Sequence, residues 1–488
     1  MFPSFEQAKK LAAQGYRRIP VSREMYADRF TPTEVMRTLK HVSRHCYMLE
    51  SAEDARQWGR YTFLGFDPSA ELTCKGGKLR IRAGAEFTEQ VSHPGAAIRR
   101  LLDENRSPKI QGMPPFTGGL VGYFSYSYIG YAEPTLNLTH EDGAFQDVDL
   151  MLFDKVIAFD HLRQKIILIA GARADEIETS YNKAAYELEQ LANLIRSGVK
   201  HEPQPPHLKT PLLPLFTREE YGGMIRKAQH YIHEGDIFQV VLSNPLEAEM
   251  DGSLFDVYRV LRTTNPSPYM FYFSSDDIEI AGASPETLAK LEDGKLFTFP
   301  LAGTRPRGKT AAEDKALEAE LLTDEKELAE HNMLVDLGRN DIGRISRLGT
   351  VQVEKYLEIE RFSHVMHIGS TVTGQIREDR DAVDAVDSIL PAGTLSGAPK
   401  LRACEIIDEL EGRERGIYGG AIGYLDFTGN LDTCIAIRLA YKKNGKVCVR
   451  SGAGIVADSV PDNEYQECIN KAAAVVRAIE TAQGGIDA

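Results

Sequence analysis

A proline-rich segment at residues 201–215, HEPQPPHLKTPLLPL, is the feature that most constrains how this chain folds. Proline lacks a backbone N–H and fixes its own φ, so closely spaced prolines exclude a helix and favour an extended connection at the surface. The segment divides the 488 residues into 1–200 and 216–488, and each part is long enough to bury a core. We therefore expect a domain boundary here.

The patterns on either side of the prolines predict a mixed α and β fold. Helices are expected at 172–197, 218–234, 311–340, 399–411 and 461–482, from apolar spacing and turn signals. Few strand–helix–strand units have the spacing of a parallel sheet, so the predicted fold class is α+β with largely antiparallel sheets. Strands are predicted at 61–65, 78–82, 148–154, 156–160, 165–170, 237–243, 278–282, 419–426 and 446–451.

Charge and composition exclude several classes of protein. The net charge of -14 is spread along the chain, and no block of five or six lysines and arginines follows a pattern suited to nucleic acid. No uncharged run approaches the length of a membrane span, and the N-terminus lacks the apolar core of a signal peptide, so we expect a cytoplasmic protein. An acidic chain that binds an anionic metabolite needs a metal, an arginine or converging backbone N–H groups.

Two predicted helices carry carboxylates that suit a metal. Glu330 interrupts the apolar face of a helix within 322–344, and Glu467 lies on a helix for which Ser459 and Asp462 predict a capping box. Magnesium prefers oxygen ligands and retains several waters, so two protein carboxylates suffice. By spacing alone, the simpler interpretation is that both glutamates lie on ordinary helix surfaces.

Other segments suit an anion. The turn PAGTLSGAPK at 391–400 and the run RSGAGI at 450–455 bring glycines to positions where backbone N–H groups can approach a ligand, although either is also consistent with a plain turn. Arg438, inside an apolar run, suits a carboxylate ligand or a structural salt bridge. His367, on a predicted strand, is either a functional residue or a satisfied core histidine.

Together these segments resemble the chorismate-utilising enzymes, and most closely the chorismate-aminating large subunits of anthranilate synthase. The resemblance covers nearly the whole chain and implies two packed β-sheets flanked by helices. It implies an N-terminal regulatory domain at 1–200, a linker at 201–215 and a chorismate-binding catalytic domain at 216–488. The motifs that carry it are ASPETL, PLAGTRPRG, EHNMLVDLGRND, SHVMHI, PAGTLSGAPK, LDTCIAIR, SGAGIVADS and EYQECINKA, in the family's order.

The resemblance also implies roles for individual residues. Glu330 and Glu467 would bind Mg²⁺, with contacts of Glu327 and Glu464 through water left open. Glu286 would act as the general acid that protonates the departing hydroxyl, and His367 would take part in the later loss of pyruvate. Thr394 would be a catalytic residue that also helps to hold the substrate. The other residues implied in substrate binding are Gly303, Thr304, Tyr418, Arg438, Gly452, Ala453 and Gly454.

Two positions separate related activities. Aminodeoxychorismate synthases generally carry a lysine where this chain has Ala302, and isochorismate and salicylate synthases generally carry a lysine base where it has Gln239. The resemblance therefore implies a lyase that forms anthranilate and pyruvate from chorismate and ammonia. The alternatives are aminodeoxychorismate synthase and a catalytically silent relative that binds tryptophan.

Partners follow from the same resemblance. None of the six cysteines lies in a GxCxGxQ-like motif, so we expect a separate glutamine amidotransferase subunit, component II, to supply ammonia. Feedback inhibition by tryptophan is implied by the segments MLESAED and NPSPYMFYF. The residues implied in binding tryptophan are Ser51, Pro268, Tyr269 and Met270. By pattern alone, Ser51 would be a helix cap, and Pro268 to Met270 would be the start of a strand.

Overall fold

The computed structural model describes residues 1–51, 59–136, 138–139, 145–361 and 365–486. Within them the helices include α1 Phe5–Ala12, α2 Pro32–Val42, α3 Gly95–Asp103, α4 Ile129–Ala132, α5 Ile177–Ser197, α6 Arg218–His233, α7 Phe255–Thr264, α8 Ala311–Leu321, α9 Glu325–Gly343, α10 Ala382–Ile389, α11 Lys400–Glu411 and α12 Pro461–Ala482.

The strands form two large sheets in which neighbouring strands are antiparallel. Before the prolines they are β1 Arg18–Tyr26, β2 Cys46–Glu50, β3 Tyr61–Phe66, β4 Ala70–Lys75, β5 Lys78–Ala83, β6 Ala85–Gln90, β7 Gly119–Phe124, β8 Val148–Phe153, β9 Lys155–Asp160 and β10 Lys165–Arg173. From the proline-rich segment onward they are β11 His207–Leu208, β12 Leu213–Pro214, β13 Gln239–Asp251, β14 Tyr269–Ser274, β15 Ile278–Ser284, β16 Thr287–Glu292, β17 Lys295–Thr298, β18 Leu301–Pro306, β19 Gln352–Arg361, β20 Val365–Gln375, β21 Gly397–Ala398, β22 Ala421–Asp426, β23 Leu431–Ile435, β24 Leu439–Lys443 and β25 Lys446–Ile455.

Both sheets run continuously through the two parts of the chain. In the first sheet the order is β1-β10-β9-β3-β2-β14-β15-β24-β25-β13-β11, and in the second it is β18-β20-β17-β16-β23-β22-β7-β8-β4-β5-β6. The joins are β2 with β14 and β7 with β22. The proline-rich segment is extended and adds β11 and β12 to β13. The domain boundary at 201–215 stays a prediction, but neither part completes a sheet alone.

An apolar core lies between the sheets. Alternate residues of facing strands meet there, for example Tyr47 and Phe271 of the first sheet and Phe153 of the second. The rings of Tyr47 and Phe153 pack edge to face with centroids 4.7 Å apart. Helices cover the outer faces, with α5, α7 and α12 on the first sheet and α3 and α10 on the second. The predicted α+β class, with two packed, largely antiparallel sheets flanked by helices, is confirmed.

Two helix predictions were wrong in detail. The helix expected at 311–340 is two helices, because the Asp324 carboxylate accepts hydrogen bonds from the N–H groups of Lys326 and Glu327 and so caps a new helix, α9. The predicted capping box at Ser459 does not form. The Ser459 hydroxyl accepts from Val456 N–H instead, and Val460 precedes the helix without a side-chain cap. No helix among the described residues is long and apolar enough to cross a bilayer.

Candidate active site

Glu330 and Glu467 approach each other from two helices. Glu330 lies on α9 and Glu467 on α12. Burial and then the negative charge of Glu327 raise the pKa of Glu330, and the charge of Glu467 contributes in the same direction. The two carboxylates therefore interact across the gap between helices that are far apart in sequence. Among the described residues no group of three or more His, Cys, Asp and Glu side chains is arranged to hold a metal.

Lys471 links this pair to the glycine-rich end of β25, and the sequence patterns did not single it out as a site residue. Its Nζ lies 2.5 Å from Glu467 Oε1 and donates to the Gly452 carbonyl at 3.1 Å. Its positive charge also lowers the pKa of both Glu330 and Glu286 against the effect of burial. The sequence does place Lys471 four residues after Glu467, on the same face of α12, and this spacing could have indicated that the two side chains interact.

The glycines of β25 form a close-packed wall beside Tyr418. A Cβ on Gly452 would lie 2.7 Å from the Leu242 carbonyl oxygen and 2.9 Å from the Tyr418 hydroxyl, so only glycine fits without movement. A Cβ on Gly454 would lie 2.6 Å from Gln239 Nε2. Between them, Ala453 pairs with Leu242 of β13. Burial raises the pKa of Tyr418, which keeps its hydroxyl protonated as a hydrogen-bond donor.

Arg438 has no carboxylate partner within ion-pair distance among the described side chains. Its Nη1 donates to the Lys471 carbonyl at 2.6 Å, and its backbone adopts a left-handed φ of +53°. Burial lowers its pKa, although the nearby Tyr418, Glu467 and Glu286 act in the opposite direction. The alternative of a structural salt bridge is therefore wrong. A largely desolvated guanidinium without an anion is costly, so a carboxylate ligand would stabilise it.

Glu286, between β15 and β16, is half-buried and carries a strongly perturbed carboxyl group. Burial raises its pKa to about 7, and the hydrogen bond from the Thr394 hydroxyl, which donates to Glu286 Oε1 at 3.0 Å, opposes that shift. Thr394 lies in a single 3₁₀ turn, Gly393–Leu395, within the segment PAGTLSGAPK. A carboxyl group with a pKa near neutrality can donate a proton at physiological pH.

His367, on β20, faces a bulge in β18. Its Nδ1 lies 2.9 Å from the Gly303 carbonyl oxygen and 3.1 Å from the Thr304 hydroxyl. Because a carbonyl only accepts, Nδ1 carries the proton, and Nε2 is the basic nitrogen of this tautomer. The pairing of β18 with β20 shifts between Ala302 and Thr304, and Gly303 has a φ of +67°. Burial lowers the pKa of His367, and the charge of Arg438 adds to this effect, which places the imidazole near the arginine.

The structure thus brings most of the predicted residues together. The carboxylate pair, Lys471, the β25 glycines, Tyr418 and Arg438 interact directly or through charge, and Glu286 joins them through Lys471 and Arg438. His367 connects Gly303 and Thr304 to Arg438. Residues 362–364, which include part of the motif SHVMHI, lie outside the described residues.

The four residues predicted to bind tryptophan line a different cavity, of about 410 Å³, between the two sheets. Ser51, Pro268, Tyr269 and Met270 all contribute to its wall, and residues 52–54 of the segment MLESAED lie outside the described residues. Sequence patterns did not indicate the remaining wall, because it comes from strands distant in the chain. Those lining residues include Tyr61, Phe63, Lys290, Tyr424, Asp432 and Cys434.

Residues 44–477 match the family model described as chorismate binding enzyme. The chain belongs to the chorismate-binding enzymes. It is 45% identical to "Anthranilate synthase component 1" of Acetivibrio thermocellus over 99% of each chain, and 44% identical to the protein of the same name from Acinetobacter calcoaceticus, again over 99% of each.

Solved structures of chorismate-binding enzymes agree with the fold. Anthranilate synthase component I from Streptococcus pneumoniae TIGR4 is 39% identical, with a TM-score of 0.76 over 86% of this chain and 92% of that chain. The menaquinone-specific isochorismate synthase MenF from Escherichia coli shares the fold at 18% identity, with a TM-score of 0.70 over 97% of this chain and 98% of that chain.

Proposed function

We propose that this chorismate-binding enzyme is the large subunit of anthranilate synthase, a lyase that converts chorismate and ammonia to anthranilate and pyruvate in the first step of tryptophan biosynthesis. The observation that supports this most directly is Glu286, a half-buried carboxyl group with a pKa of about 7, near Arg438, which has no carboxylate partner among the described side chains. Departure of a ring hydroxyl needs a proton donor, and a carboxylate substrate needs a cation.

Substrate would bind at the wall formed by Gly452, Ala453 and Gly454 of β25 beside Tyr418, which we call the anion-binding wall. Chorismate carries two carboxylates. Arg438 and the protonated Tyr418 hydroxyl would bind one of them, together with backbone groups of Gly452, Ala453 and Gly454, while Gly303 and Thr304 would lie nearby. Lys471, already close to Gly452, would add positive charge at the same place. These groups supply the local positive site that a chain of net charge -14 requires.

Glu330 and Glu467 fit a magnesium site. Burial, the charge of Glu327 and, to a smaller extent, the charge of Glu467 raise the pKa of Glu330, and a divalent cation would favour its ionised form. Magnesium commonly uses one or two protein carboxylates and completes its shell with water and substrate. When bound, Mg²⁺ would supply positive charge for the ring carboxylate of chorismate.

The acid–base steps would follow from Glu286 and His367. Ammonia would form a bond to C2 of the ring as the C4 hydroxyl leaves, and Glu286 would give its proton to that hydroxyl so that it departs as water. Thr394, by its hydrogen bond, would fix the acid's orientation. His367 Nε2, the basic nitrogen when Nδ1 donates to the Gly303 carbonyl, would then accept the C2 proton as pyruvate is eliminated.

The two positions that separate sister activities support amination without a lysine. Ala302 is buried in β18 and offers no nucleophile to the ring. Gln239 lies against Gly454 and cannot act as the lysine base that activates water in isochorismate synthases. Ala302 directly precedes Gly303, and Gln239 lies against Gly454, so both positions adjoin residues of the proposed site.

Regulation and partnership complete the proposal. The cavity of about 410 Å³ would bind tryptophan, with Ser51, Pro268, Tyr269 and Met270 as contacts. Its aromatic side chains, together with charged groups of both signs such as Lys290 and Asp432, suit an aromatic amino acid with its ammonium and carboxylate groups. A separate glutamine amidotransferase subunit would deliver ammonia, and a cytoplasmic location is expected.

The decisive experiment is a turnover assay with chorismate, Mg²⁺ and ammonium, with and without tryptophan. We expect fluorescent anthranilate, dependence on Mg²⁺ and inhibition by tryptophan. Formation of aminodeoxychorismate alone would identify the aminodeoxychorismate synthase instead. Tryptophan binding in calorimetry without any turnover would identify a silent regulatory relative.

A further inference from the structure

We propose that a buried ionic cluster of Glu411, Arg415 and Arg450 positions the anion-binding wall, which is the glycine-rich end of β25 together with Tyr418. The inference rests on the proposed function, since it concerns where chorismate binds. None of the three side chains is more than 4% exposed. With two arginines and one glutamate, the cluster carries a net charge of +1 inside the protein.

Glu411 is the centre of the cluster and is fully paired. Its Oε1 accepts from Arg415 Nη2 at 2.5 Å and from the N–H and hydroxyl of Ser243 at 2.8 and 2.9 Å. Its Oε2 accepts from Arg415 Nε at 3.0 Å and from Arg450 Nη2 at 2.8 Å. These cations lower the pKa of Glu411 against the effect of burial, so the carboxylate is ionised.

The two arginines hold the backbone that surrounds the site. Arg415 donates at 2.6 Å both to the Leu395 carbonyl, next to Thr394, and to the Val241 carbonyl, whose residue pairs with Gly454. Its guanidinium also lies 5.8 Å from the centre of the Tyr418 ring. The cluster therefore holds the turn that contains Thr394, strand β13 and Tyr418 in fixed positions relative to one another.

Arg450 acts on the glycine strand itself. It directly precedes Ser451 and Gly452 on β25, and its Nε donates to the Ser243 hydroxyl at 2.8 Å. Ser243 is the β13 residue paired with Gly452. Because glycines impose little conformational preference, external bonds must fix the direction of their N–H groups. Arg450 and Glu411 supply those bonds at the residue opposite Gly452.

A buried ion pair is weak evidence for stability alone, since burial of the charges offsets much of their attraction. Its contacts with the backbone next to Thr394 and with the strand residues paired with Gly452 and Gly454, and its closeness to Tyr418, give it a functional explanation. Contacts that bind substrate and transition state alike change KM without changing kcat. A positioning role for Arg450 therefore predicts a rise in KM for chorismate at nearly constant kcat.

The test compares Arg450→Met and Arg450→Lys with Arg413→Met in the full-length protein, in the ammonium-driven assay. Arg413 is a nearby arginine whose ion pair with Glu247 is about one-third exposed, so its loss serves as the matched control. We expect Arg450→Met to raise KM by about tenfold or more, equivalent to one hydrogen-bonded contact, with kcat within about threefold. Arg450→Lys, which keeps the charge, should recover part of the affinity, and Arg413→Met should leave KM unchanged.

Thermal unfolding of each variant separates a positioning role from a structural one. If Arg450→Met fails to fold, Arg450→Lys carries the test, and its KM must still rise above that of Arg413→Met. An unchanged KM in a folded Arg450 variant, or equal loss in the Arg413 control, would overturn the inference. Failure of the wild-type protein to make anthranilate would instead refute the proposed function, so the two failures are distinguishable.

Discussion

Replacement of Glu286 by glutamine gives the sharpest test of the proposed chemistry. Burial raises the pKa of this carboxyl group from 4.5 to about 7. At pH 7 about half of the molecules hold the proton, whereas an ordinary glutamate would hold it in only about 0.3%, so burial increases the protonated fraction by about 150-fold. Glutamine keeps the shape and cannot donate an acidic proton. We expect kcat to fall by about 10²–10⁴-fold, with a smaller change in KM.

The same substitution should lower activity but raise the free energy of unfolding at alkaline pH. Between pH 4.5 and about 7 this carboxyl group holds more protons in the folded state than in the unfolded state. The free energy of unfolding of the wild type therefore falls as the pH rises through this range and is lowest above pH 7. Removing this buried charge should stabilise Glu286→Gln over the wild type by up to about 3 kcal/mol at pH 8, less whatever the altered bond to Thr394 costs. At pH 4 the difference should largely vanish, because both proteins are then neutral at this position.

Two measurements check these expectations. Stopped or continuous anthranilate fluorescence gives kcat across pH, where wild-type turnover should decline above pH 7 as Glu286 ionises. Urea unfolding at pH 5 and pH 8 gives the stability difference. Glu187→Gln, on the outer helix α5, is a control that should change neither quantity. A Glu286→Gln variant with full turnover, or with a stability difference independent of pH, would refute the reasoning.

Three further predictions concern the other groups. Glu330→Gln and Glu467→Gln should each raise the Mg²⁺ concentration needed for half-maximal turnover by about tenfold or more, since each removes one of two charged oxygen ligands; full activity at limiting Mg²⁺ would exclude these residues as ligands. Arg438→Lys should raise KM for chorismate by about tenfold, because lysine lacks the planar fork, and an unchanged KM would place the substrate carboxylate elsewhere. Ser51→Phe should fill the cavity between the sheets and weaken tryptophan binding in calorimetry, while turnover without tryptophan stays within about twofold; unaltered inhibition would move the inhibitor site away from Ser51.

Local patterns predicted several of the helices and strands. The strands β3, β5 and β8 and the helices α6, α11 and α12 begin within one or two residues of the predicted positions. Their signals depend only on side-chain alternation and helical spacing, which neighbouring residues set. The break at Asp324 was missed because the apolar spacing continues across it, and a single capping carboxylate decided it.

The candidate site was predictable only in part. The motifs identified Glu286, Arg438 and the two glutamates through resemblance, while spacing alone left each with an ordinary structural explanation. Lys471 and the buried cluster around Glu411 were not identified as part of the site, because their importance comes from contacts with residues more than fifteen positions away.

The sequence by itself determined the composition, several of the helices and strands, and the family to which the chain belongs, since these depend on residue types and their order. The tertiary structure alone decided that the halves on either side of the prolines share both sheets, because β2 and β14 meet only in the folded chain. It also decided that Glu286 has a pKa of about 7 and that Arg438 lacks a carboxylate partner among the side chains that the structure describes. Both are consequences of burial, and burial depends on what the rest of the chain packs against each residue.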